Sequence, residues 1–62
     1  MKYLKEIRAD TSMNQAEFAQ AIGVSKSYLA KLESDHATPS FSFLKSIYKF
    51  TNGEIDMNKF FQ

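Results

Sequence analysis

Sixty-two residues carrying a formal net charge of +1 make a single domain, 1–62, with no room for a catalytic cleft beside its core. With no cysteine, a single histidine and seven scattered carboxylates, the chain excludes disulfide staples and thiol-ligated zinc and calls for no metal or cofactor. No apolar run approaches the roughly 20 residues that span a bilayer, and no signal-peptide core opens the chain, so a cytoplasmic protein is expected.

The segment Lys2 to Ala9 carries Leu4 and Ile7 at helical spacing with charged residues opposite, which predicts an amphipathic first helix. Asp10, Thr11 and Ser12 break it. Asn14 then offers an N-cap and Glu17 the reciprocal partner of a capping box, with Met13 and Phe18 placed as a hydrophobic staple. Phe18, Ala19 and Ile22 stripe this second helix. Gly23 ends it, and Ser25 caps a third helix that turns Leu29 and Leu32 inward, with Val24 and Leu29 as its staple. Two short helices, a small residue where they cross and a glycine at the bend are what a helix-turn-helix requires, and residues 14–33 supply all of them.

Ser34 to Thr38 reads as a polar loop, and Pro39-Ser40 as another helix start. Leu44, Ile47 and Tyr48 predict an inward stripe running to about Phe50. Thr51-Asn52-Gly53 is a turn, and Asp56 caps a last helical turn of Met57 to Phe61, with Ile55 and Phe60 at staple spacing. The expected fold is all-α, a compact bundle of five short helices. An alternative for residues 54–61 is a short strand, since Ile55, Met57 and Lys59 alternate imperfectly with polar residues.

Leu4, Ile7-Arg8, Asn14 to Ala19, Ile22 to Ser25, Leu29, Leu32-Glu33, Pro39-Ser40, Leu44 and Ile47 together resemble the phage repressor and Cro (Xre-type) helix-turn-helix family, which includes the lambda and 434 repressors. The ending from Ile47 to Phe61 is similar to that of small Cro-like and YdaS-like regulators. The resemblance implies a lambda-repressor-like DNA-binding domain whose second motif helix enters the major groove. It also implies that Arg8 and Glu33 form a largely buried ion pair, the bland alternative being two unrelated surface charges.

On a helical wheel Lys26, Ser27, Ala30 and Lys31 lie opposite Leu29 and Leu32. They are the expected base readers: lysine can donate to guanine, a serine hydroxyl suits either base type, and alanine can pack on a thymine methyl. A solvated helix face is the competing account of the lysines. Asn14 and Gln15, at the start of the second helix, are expected at a DNA phosphate, where the resemblance also places the glutamine. Tyr28 is either a phosphate donor or a packing residue. Ser40 is a further phosphate candidate, although a plain N-cap explains it fully, and Lys45 and His36 are weaker ones. Between Lys26 and Lys49, four lysines and His36 stand against Glu33 and Asp35, a modest basic patch.

Phe41, Phe43, Tyr48, Phe50, Phe60 and Phe61 all follow the third helix, and one stripe with Leu44 and Ile47 cannot bury them all. Phe41, Phe43, Phe60 or Phe61 are therefore expected to contribute to a homodimer interface, at least on DNA. The bland alternative is a core between the last two helices with a few exposed rings. A symmetric dimer would set two recognition helices about 34 Å apart on a palindromic double-stranded operator. The expected function is a sequence-specific transcriptional regulator, a repressor and not an enzyme. The alternative is an antitoxin or interaction module of the same fold that binds a protein partner.

Overall fold

Four α-helices and a closing 3-10 turn follow one another: α1 (Lys2–Thr11), α2 (Gln15–Ile22), α3 (Lys26–Glu33), α4 (Phe41–Phe50) and the turn Met57–Phe61. The computed structural model describes residues 1–61, the side chains of Met57 and Phe61 apart. There is no strand among the described residues, which decides against the strand alternative for residues 54–61, where 57–61 form the 3-10 turn.

Each boundary has a local cause. α1 continues beyond Ala9 through Thr11, whose Oγ1 donates to the Arg8 carbonyl at 2.6 Å, and ends where Ser12 takes a left-handed φ of 60°. Asn14 and Glu17 exchange both bonds of a capping box: Asn14 Oδ1 accepts from Glu17 N at 2.8 Å, and Asn14 N donates to Glu17 Oε1 at 3.0 Å. Ser25 and Ser40 cap α3 and α4, accepting from the backbone N–H of Tyr28 and Phe43. Asp56 Oδ1 accepts from Asn58 N at 3.0 Å and starts the 3-10 turn.

Gly23 ends α2 at a φ of 78°, and Val24 N closes the turn on the Ala19 carbonyl at 3.0 Å. A Cβ at Gly23 would meet nothing within 4 Å, so an alanine there is opposed by backbone strain alone. Gly23→Ala should therefore cost about 1–2 kcal/mol, read as a lower urea midpoint with an unchanged slope.

Leu4, Phe18, Leu29, Leu32 and Ile47 are fully excluded from solvent, with Ala19, Ile22, Phe43 and Phe60 completing the core. The inward arc of α4 is Phe43, Ile47 and Phe50, one turn apart each time, with Leu44 at its edge. Tyr48 is therefore corrected from an inward to an exposed position: it falls outside that arc, and its ring covers Gly53 instead.

Phe43 and Phe60 are also corrected. Both belong to the core, at 1% and 5% exposure, and pack edge to face at 6.4 Å, so neither offers a surface to a second subunit. Tyr3 joins them, its ring 5.2 Å from Phe60 and its hydroxyl accepting from Asp56 N at 2.9 Å. Phe61 is one of the side chains outside the described set.

Candidate nucleic-acid interface

Burying Leu29 and Leu32 turns the opposite arc of α3 outward. Lys26, Ser27 and Lys31 are exposed there, and Ala30 is half-buried between them. At the N-terminal end of this arc, Lys26 shares an open cleft with Arg8, Asn14, Gln15 and Ala16. The start of α2 and the start of α3 thus border one concavity. Its net charge comes from Lys26, since the Arg8 charge is matched by Glu33, and the backbone N–H groups that open α2 add a partial positive charge.

Beneath the cleft lies the one buried charged side chain among the described residues. Glu33, 3% exposed, accepts from Arg8 Nε at 2.8 Å through Oε2, and through Oε1 from Arg8 Nη2 at 3.1 Å and Gln15 Nε2 at 3.0 Å. Arg8 Nη1 goes on to the Met13 carbonyl at 3.3 Å. Burial works against the Glu33 charge. The hydrogen bonds from Arg8 and Gln15, followed by the positive charges of Arg8 and Lys5, outweigh that burial and hold its pKa below the usual glutamate value. The last residue of α3, the middle of α1 and the first residue of α2 are therefore joined at one carboxylate.

The sequence profile of a helix-turn-helix family matches residues 4–57, nearly the whole chain and every element of this interface. The chain belongs to the Cro/C1-type helix-turn-helix family. No curated protein and no solved structure matches it. Membership makes it a DNA-binding helix-turn-helix regulator, in a family that is not typically enzymatic. No helix among the described residues is long and apolar enough to cross a membrane, and no group of potential metal ligands occurs among them.

Within this Cro/C1-type frame the polar candidates divide by what already occupies them. Asn14 spends its side-chain oxygen on the capping box, which leaves its amide NH2 facing solvent at the cleft. Gln15 spends one amide hydrogen on Glu33 and has a second. Of the two alternatives for Tyr28, packing is the one the contacts favour: its hydroxyl donates to the Thr38 carbonyl at 3.1 Å and accepts from Ser40 N at 2.9 Å, so its only proton is committed inside the protein. It acts as a clamp between the α3–α4 loop and the start of α4, with its ring edge-on to Phe43. Ser40 caps α4 and keeps its hydroxyl hydrogen for an outside acceptor.

Lys45 stands on the outer side of α4 with Phe41 and outside the cleft, and His36 Nδ1 faces Ser34 Oγ at 2.9 Å in the exposed loop. Of the aromatic residues expected at a dimer surface, Phe41 alone is shown exposed, at 81%. Two contacts near this interface had no counterpart in the sequence analysis. The Tyr28 bridge spans 12 residues and the Gln15–Glu33 bond spans 18, and no helical spacing announces either one.

Proposed function

We propose that this chain is a sequence-specific repressor of Cro or Xre type that inserts helix 25–33 into the major groove of a double-stranded operator. One observation carries the proposal: Leu29 and Leu32 are sealed in the core while Ser27 and Lys31 stand free on the convex side of α3, beside the cleft that Lys26 borders. Ser27 and Lys31, flanking Ala30, read base edges. Lys26 lies where α3 meets the cleft and serves either a base or the adjoining phosphate. Asn14, Gln15 and the free N–H groups of α2 hold that phosphate, with Ser40 at a second one and Lys45 as an outlying cation. The repressor acts in the cytoplasm as a homodimer on a palindromic site.

Selection of bound duplexes from a random pool tests this directly. A palindromic consensus is the expected result, and affinity should fall steeply as salt rises because bound phosphates release counterions. Lys31→Ala should relax preference at one base pair by about 1–3 kcal/mol, whereas Gln15→Ala should weaken all sequences alike. Enrichment of no sequence, together with binding indifferent to salt, would remove the proposal.

The second reading, a domain that binds a protein partner as an antitoxin does, is favoured by the outer side of α4. Phe41 and Tyr48 are exposed there beside Lys45 and Lys49, and α4 carries no acidic residue. Protein capture that persists at salt concentrations abolishing DNA binding would support it.

A further inference from the structure

We infer that Glu33 is a positioning residue for DNA binding: it holds the Gln15 side chain so that one amide nitrogen bridges a buried carboxylate and a DNA phosphate. The inference rests on the phosphate role proposed for Gln15 and says what makes that role available. Gln15 Nε2 donates to Glu33 Oε1 at 3.0 Å, and Gln15 lines the cleft at the start of α2. An amide nitrogen carries two hydrogens in one plane, diverging by about 120°. With one directed at the buried carboxylate, no other bond within the described residues uses the second, and the side chain is only half-buried.

The ionised state of Glu33 matters here. A carboxylate only accepts, so it requires the NH2 end of Gln15 and rejects the carbonyl end. Arg8 keeps Glu33 ionised and fixes its plane through two parallel bonds, at 2.8 and 3.1 Å. The arginine therefore does more than neutralise a buried charge: it sets the carboxylate that sets the amide. A freely rotating glutamine would present carbonyl oxygen to the cleft part of the time, where it would repel a phosphate. A fixed one is ready before DNA arrives and loses less side-chain entropy on binding.

Glu33→Gln removes this instruction with little change in shape. The new amide has one acceptor where the carboxylate had two. With its NH2 at the Oε1 position it opposes the NH2 of Gln15. With its carbonyl there it meets Gln15 only as a neutral acceptor and sets its own NH2 against Arg8 Nε, so the orientation of Gln15 is no longer dictated. The test is a cycle of wild type, Glu33→Gln, Gln15→Ala and the double variant, each binding a mixed-sequence duplex at low salt and at a temperature where circular dichroism shows it folded. Glu33→Gln should weaken binding about tenfold, as loss of one charge-assisted hydrogen bond does, and should weaken it no further once Gln15 is alanine.

Losses that multiply in the double variant, or no loss for Glu33→Gln, overturn the inference and leave the DNA-binding proposal intact. Wild type that binds no duplex ends both. If Glu33→Gln does not fold, hydrogen exchange of the Gln15 side chain in wild type decides instead. One amide hydrogen should be protected in the free protein and both in the DNA complex. A second hydrogen that exchanges equally fast with and without DNA overturns the inference.

Discussion

Arg8→Ala will destabilise the fold by about 3 kcal/mol, at the lower end of what breaking a buried pair costs. Arg8 keeps about a quarter of its side chain in solvent, but Glu33 keeps only 2%, so the charge left behind cannot be rehydrated without moving α3. For a domain this small that is a large share of total stability, and the fall in Tm should be plain. The pH dependence identifies the cause. In wild type the Glu33 pKa lies below its ordinary value, so its contribution is complete at neutral pH and is lost as pH falls through that lowered value. In the variant the strongest opposition to burial is gone and the pKa moves above the ordinary value, so protonation there relieves the fold. The stability gap between the two proteins should therefore narrow as pH drops from 7 towards about 4. A Tm equal to that of wild type, or a gap constant over that range, refutes the account. Arg8→Lys should fall in between, since an ammonium keeps the charge and loses the two-pronged geometry.

How much of this was legible in the sequence depends on how far apart the interacting residues lie. The Asn14–Glu17 capping box, the Gly23 bend and the Ser25 and Ser40 caps are each decided within a few residues, and the structure places all of them where the pattern does. The buried side of α3 follows from the same periodicity, because Leu29 and Leu32 are its large aliphatic residues. Periodicity was a poor guide on α4. There nearly every turn offers an aromatic or aliphatic residue, and an arc anchored on Leu44 selects Tyr48, whereas one anchored on Phe43 selects Ile47 and Phe50. What favours the second arc is Phe60, brought beneath Tyr3 and Phe43 by the closing 3-10 turn, and no local spacing encodes that encounter. The same limit hid the roles of Tyr28 and Gln15. A surface polar residue and a loop clamp have the same sequence signature, and only the partner across the fold distinguishes them.

The reassignment of the aromatic residues has its own large consequence. Phe43 meets Tyr28 edge-on at 6.1 Å and Phe60 at 6.4 Å, joining α3, α4 and the C-terminal turn through one ring. Phe43→Ala should cost about 3–5 kcal/mol, the transfer energy of the ring together with the cavity it leaves. If so much loss prevents folding, Phe43→Leu, which keeps most of the volume, should still fold and cost about 1–2 kcal/mol by urea titration. Phe41, two residues away and 81% exposed, should behave oppositely: Phe41→Ala should change stability by less than about 0.5 kcal/mol. A dimer surface built on Phe43 would reverse part of this pattern, since stability would then depend on protein concentration and dilution would mimic the Phe43 variants. Concentration-independent unfolding of wild type, with the large loss confined to Phe43, places that ring inside the subunit and leaves Phe41 as the residue through which the outer side of α4 can meet a partner.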